Sequence, residues 1–219
     1  MEWTQLFQAA LPVMLKGTLY TLMFALVAMV LGLALGFAVA LVRVGRVPLL
    51  SQLAALYVSV MRGTPLLVQI FVIYYGLPGV GIELDPVSAG VISLTLNVAA
   101  YLSESLRGGI AGVHKGQWDA GLSLGFTWWQ TMRYIVAPQA LRLSVPSLSN
   151  SLISLIKDTS LVSVITVTEL MLATKEVIAQ TFQPLPLYLG AAAIYWALSA
   201  AFERVQRMVE KRLDLAHQR

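Results

Sequence analysis

Five stretches of this chain, at about 17–42, 49–77, 86–106, 141–170 and 186–202, are apolar for long enough to cross a lipid bilayer, and that leaves few ways to fold. A helix rises 1.5 Å per residue, so about 20 apolar residues span a hydrocarbon core ~30 Å thick. Backbone N–H and C=O groups find no water there, which restricts a spanning chain to helices or closed barrels. Blocks of this length are helical, and the sequence predicts an all-α integral membrane protein of about five crossings. Hydrophobic residues make up 58% and charged residues 12% of the chain, against about 45–50% and 25% in soluble domains. A soluble fold is thereby excluded, and residues 1–219 read as one membrane domain. The net charge of +4 does not point to nucleic acid, because the basic residues fall between and after the apolar blocks, where they set topology. With no cysteine there is no disulfide, thiolate metal site or cysteine nucleophile.

Breakers and charges divide the blocks. Gly32 and Gly36 form a GxxxG spacing that admits a close helix neighbour, with a dimer contact the less favoured reading. Arg62, Gly63, Thr64 and Pro65 interrupt the second block, since proline lacks an N–H and disfavours helix at the preceding residue. The expected order is a membrane-surface helix, a break, then a crossing. A turn-rich link through Gly76, Pro78, Gly79 and Gly81 carries Glu83 and Asp85. Residues 107–140 are the longest polar stretch, and the last block leads into a tail with Arg204, Arg207, Lys211, Arg212 and Arg219. Placing Arg43–Arg46, 107–140 and the tail in the cytoplasm leaves only Lys16 and Lys175 outside. The N-terminus is expected outside and the C-terminus inside. Met1–Lys16 lacks a small-residue cleavage site, so the first helix is expected to be retained.

The segment Asp119–Pro138 reads DAGLSLGFTWWQTMRYIVAP. Asp119 suits a helix start, Gly125 a sharp turn, and Pro138 a stop, so two short helices joined at a glycine are expected to present Phe126, Trp128 and Trp129. On composition alone, those aromatics fit an interfacial belt. The spacing resembles the EAA loop of bacterial ATP-binding-cassette importer permeases. Asp119, Ala120, Gly125, Ile135 and Pro138 fall on its positions, while Asp119 replaces glutamate, Gly121 the second alanine and Ala137 the leucine. The resemblance implies a type I importer permease fold, a coupling loop within about 112–140, and a docking groove on separate cytoplasmic ATPase subunits that hold ATP and Mg. The chain lacks GxxxxGK[ST], so no ATPase site or other cofactor is expected in it.

A second set of words narrows the branch. Arg62-Gly63-Thr64-Pro65-Leu66, Asn97-Val98-Ala99-Ala100-Tyr101 with Glu104, Arg107-Gly108-Gly109, and Lys157-Asp158-Thr159-Ser160-Leu161 with Glu169-Leu170 resemble the polar amino acid uptake permeases of the histidine, glutamine, arginine and cystine types. YYGLPGVGIELDP and KGQWDAG are most similar to the cystine branch. The resemblance implies a multi-pass protein of the bacterial inner membrane, paired with a second permease copy or a paralogue. It also implies an extracytoplasmic binding protein that delivers the amino acid.

Asn97, Tyr101 and Glu104 share one helix face at i, i+4 and i+7. A carboxylate at membrane depth is costly unless it faces a cavity or partner, so Glu104 lines a path or pairs with Arg107. Asp158, Thr159 and Ser160 form the other polar cluster, with Asp158 placed to meet a substrate ammonium or, alternatively, to pair with another helix. Arg62 is expected to hold the break by contacting carbonyls or a carboxylate, with no role toward the substrate. His114 and His217 have no metal-ligand spacing. The competing functions are a permease for another small solute and a membrane channel or enzyme, for which no HExxH, GxSxG or carbonyl filter is found.

Overall fold

The computed structural model describes residues 3–45 and 48–215, and every regular element among them is helical. Helix α1 (Trp3–Val44) is one run of 42 residues, starting well before the block at 17–42. Its early turns are held by packing, because Leu6, Ala10 and Met14 are buried against Leu187 and Ala191.

Lipid tails are as apolar as leucine, so helices in a membrane associate through close contact rather than through expulsion of water. Helix α1 lies along α4 (Pro86–Gly112) in this way. A Cβ at Gly36 would sit 2.8 Å from the Ala99 carbonyl oxygen, and one at Gly32 would strike Val98. The GxxxG spacing thus serves a contact within the chain. Gly32 opposes Val98 and Gly36 opposes Leu102, so α1 and α4 run in the same direction. Around this seam Ala25, Ala28, Met29, Leu94, Leu155 and Ile156 form the main core.

Helix α2 (Pro48–Gly63) breaks where the sequence indicates, and the chain turns by 109° into α3 (Leu66–Phe71), a π turn (Val72–Gly76) and a 3-10 turn (Leu77–Val80). A break at membrane depth leaves carbonyls without donors. The amide of Gln69 donates to the Met61 carbonyl at 2.9 Å and the Thr64 carbonyl at 3.2 Å, and Asn97 adds a longer bond to Met61.

After α4 come α5 (Lys115–Ser123), α6 (Trp128–Thr131), a π turn (Met132–Val136) and α7 (Ala137–Asp158). Ser105 on α4 meets Ser147 on α7 at 2.6 Å while Gly109 meets Ser144, so the two helices are antiparallel. The expected block at 141–170 is not one helix. It ends at Asp158, passes through a 3-10 turn (Thr159–Ile165), and reverses at Thr166, whose φ of 63° is rare for a β-branched residue. Helices α8 (Leu170–Thr181) and α9 (Pro184–Leu215) follow, the latter carrying Arg204, Arg207, Lys211 and Arg212, while Arg46, His217 and Arg219 lie outside the described residues.

Helices α1, α4 and α9 are long and apolar enough to cross a membrane, and α2 with α3 makes a fourth candidate as a bent pair. Helix α7 has the length, but Ser144, Ser147, Asn150, Ser151, Ser154 and Asp158 lower its hydropathy. Those residues turn out to matter for the site.

The loop before α8 is pinned by Glu169, which is 0% exposed. Its carboxylate accepts from Tyr195 Oη at 2.6 Å, from Thr21 Oγ1 at 3.4 Å and from the Leu172 N–H at 2.9 Å. One side chain therefore joins α1, α8 and α9.

Candidate functional site

Between α3, α4 and α7 lies a cavity of about 490 Å³ lined by Thr64, Pro65, Asn97, Tyr101, Asn150 and Asp158, with Ser147, Ser151 and Ser154 completing the α7 wall. The helical repeat of 3.6 residues brings positions 147, 151, 154 and 158 to one side of α7, which makes a polar stripe in an apolar bundle. Asp158 has no ion-pair partner among the described residues, its helix neighbour Lys157 included. An unpaired carboxylate at this depth is stable only toward a wet cavity, and it is well placed for an organic cation.

The six path candidates read from the sequence divide, and the structure brings three of them together here. Asn97, Tyr101 and Asp158 share the cavity. Thr159 is buried with its hydroxyl donating to the Ile156 carbonyl at 2.7 Å, and neither it nor Ser160 lines the cavity. Asn97 also donates to Gln69 Oε1 at 3.0 Å, so its amide supports the α2–α3 break as well as the wall.

Glu104 opens on a neighbouring cavity of about 470 Å³ together with Arg62, Tyr101, Gly108 and Ser151. The pairing with Arg107 is present as a two-pronged contact, Nε at 3.1 Å and Nη2 at 2.9 Å. Two more guanidiniums converge on the same carboxylate. Arg43 bonds it directly, and Arg62 stands 3.7 Å away. Arg62 meets a carboxylate as expected, and it also lies over the Tyr101 ring at 5.3 Å. Sequence reasoning missed Arg43, Gln69 and the α7 stripe. Only the stripe had a readable signal, in its i, i+4, i+7 spacing.

The 112–140 segment is built by local rules. Helix α5 ends in a Schellman motif, with Phe126 N–H bonded to the Gly121 carbonyl and Gly125 N–H to the Leu122 carbonyl. Gly125 occupies the left-handed position at φ 84°, with open space around it, so backbone freedom is its whole contribution there. Thr127 and Gln130 then form a reciprocal capping box that starts α6. Two expectations are corrected. His114 caps α5 and Asp119 sits in its middle, so Asp119 is not a helix-start residue. Pro138 does not stop a helix either, because the π turn at Met132–Val136 precedes it and the helical path continues from Trp128 to Asp158.

Asp119, Ala120, Leu122, Leu124 and Trp129 project outward from this hairpin. Gly121 and Ile135 hold it shut. A Cβ at Gly121 would fall 2.6 Å from Thr131 Cγ2 and 2.9 Å from Ile135 Cδ1, which explains why glycine stands where the loop pattern has alanine. Trp118 packs on Trp128 at 5.6 Å between ring centres, beside α1.

Comparison with known proteins agrees with this arrangement. Residues 32–215 match the family described as binding-protein-dependent transport system inner membrane component. The chain is 41% identical to the probable amino-acid ABC transporter permease protein YckA of Bacillus subtilis (strain 168), over 96% of each chain. It is 43% identical to the L-cystine transport system permease protein TcyB of the same organism, covering 97% of this chain and 91% of that one. The glutamine transport system permease protein GlnP of Escherichia coli (strain K12) is 34% identical over 98% of both. A crystal structure of an amino acid ABC transporter with histidines superposes with a TM-score of 0.92 at 32% identity, covering 97% of this chain and 99% of that chain.

Proposed function

The chain belongs to the family of binding-protein-dependent transport system inner membrane components and is an amino-acid ABC importer permease without an ATPase site of its own, and from that premise we propose that it carries a polar amino acid, cystine first among the candidates. The observation that carries the reading is the cavity between α4 and α7, where Asp158 has no ion-pair partner among the described residues and hydroxyls and amides line the wall. An ammonium pairs with Asp158 there, while Tyr101 and the α7 serines replace water around the rest of the solute.

Transport then proceeds by alternating access. Substrate arrives on an extracytoplasmic binding protein, and two permeases, as two copies or as a copy with a paralogue, enclose the path. ATP and Mg act on separate cytoplasmic ATPase subunits. The α5–α6 hairpin docks on one ATPase through Asp119, Ala120 and Leu122. Beyond the turn at Gly125 that ends α5, an unbroken helical path from Trp128 to Asp158 leads from the hairpin to the cavity wall.

The test is co-purification with the ATPase and binding protein in lipid, followed by ATP hydrolysis with cystine, arginine, glutamine or histidine loaded on the binding protein. Stimulation by one of them, lost when Asp119 and Gly125 are replaced together, is the expected result. Absence of ATPase association and of any stimulation reopens the channel and enzyme alternatives.

A further inference from the structure

The three guanidiniums around Glu104 are unequally occupied. Glu104 presents two oxygens, and Arg43 and Arg107 between them bond both. Arg62, at 3.7 Å, lies beyond hydrogen-bond distance of that carboxylate, and its side chain is 44% exposed. It contributes a charge that the cluster does not neutralise. One carboxylate against three arginines leaves an excess of positive charge, and the residue holding that excess borders a cavity.

That cavity adjoins the candidate substrate cavity. Tyr101, Ser147 and Ser151 line both, with Asp158 on the first and Arg62 on the second. The first cavity carries an unpaired anion and the second an under-occupied cation, the two kinds of charge that an amino acid meets with its ammonium and its carboxylate. Arg62 is also held ready, with its guanidinium resting over the Tyr101 ring and its backbone in the last turn before the α2–α3 break. A planar guanidinium with free N–H groups is suited to a carboxylate.

We propose that Arg62 is a specificity-determining residue that receives the α-carboxylate of the amino acid in the α4–α7 groove. The proposal rests on the importer reading above. When a carboxylate arrives, Arg62 leaves its long contact with Glu104, and Glu104 keeps Arg43 and Arg107. The Arg43–Glu104–Arg107 unit is the fixed frame, and Arg62 is the arm that exchanges partners.

The test uses the permease–ATPase complex in lipid nanodiscs, without binding protein. Binding of the amino acid that is transported is compared with binding of its carboxamide, which keeps the ammonium and removes the negative charge. Wild type is expected to prefer the acid by at least about tenfold, the worth of one charge-assisted hydrogen bond. Arg62→Gln should reduce that preference to within about twofold, and Arg62→Lys should keep part of it because the charge remains. The ratio of acid to amide is independent of how much folded complex each preparation contains. Absence of an acid preference in wild type, whether both ligands bind or neither does, overturns the inference, as does an undiminished preference in Arg62→Gln. Failure of the complete assembly to take up any amino acid would instead count against the importer reading, so the two failures are distinct.

Discussion

The α5–α6 hairpin and the groove between α4 and α7 are made by opposite strategies. The turn of the hairpin is written by residues close to it in sequence: Gly125 closes α5 on Leu122, and Gln130 reaches back to Thr127. The groove has no such local grammar. Its walls meet because glycines on one helix admit atoms of another, Gly36 against Ala99 and Gly109 against Ser144, and its charges come from α1, α2, α4 and α7. A locally written device can be changed without unfolding its surroundings. A device written by packing cannot.

That contrast sets an order of effects. The largest should come from Gly109→Ala, because the added Cβ coincides with Ser144 Oγ and lies 2.5 Å from the Ala140 carbonyl oxygen. Separating α4 from α7 should cost about 1–3 kcal/mol or abolish folded protein, read by thermal unfolding in nanodiscs. A fully stable Gly109→Ala would break the comparison. Gly125→Ala should be milder, about 1 kcal/mol for the left-handed conformation with no steric clash, while ATPase association weakens more than stability does. Equal losses in both would mean that the hairpin is part of the core.

The smallest effect tests whether a local device on a groove helix behaves like one in the hairpin. Asp85 caps α4 through the Val87 and Ser88 N–H groups at 3.0 Å each. Bonds to Ser88 hold its carboxyl below the usual carboxylate range. The folded form therefore gains from the charged cap above the unfolded value of about 3.9 and loses that gain as pH falls through the lower folded value. Protection of the Val87 and Ser88 amides, measured relative to their intrinsic exchange rate at each pH, should fall below about pH 4, and Asp85→Asn should flatten that response without disturbing α7.

The same contrast explains what could be read in advance. The apolar blocks, the break at Pro65 and the turn at Gly125 are consequences of nearby residues and were legible. So was the pairing of Glu104 with Arg107, three residues apart. Arg43 on Glu104 and Tyr195 on Glu169 were not, since no spacing rule joins positions 61 or 26 residues apart. Pro138 misled for a related reason. Proline usually ends a helix because one carbonyl loses its donor and meets the ring, and a π turn just ahead of it changes that bonding pattern, which sequence alone did not disclose.

The Glu169 pin has a consequence for how the protein is made. Its carboxylate needs Thr21, 148 residues earlier, and Tyr195, 26 residues later. During synthesis Glu169 enters the membrane region before its strongest partner exists. Until α9 follows, Thr21 and the Leu172 N–H already tie α1 to α8 through Glu169, and the carboxyl group still lacks its shortest side-chain bond. Tyr195 completes this corner only when the last helix is in place, so a chain truncated before it leaves Glu169 without that bond.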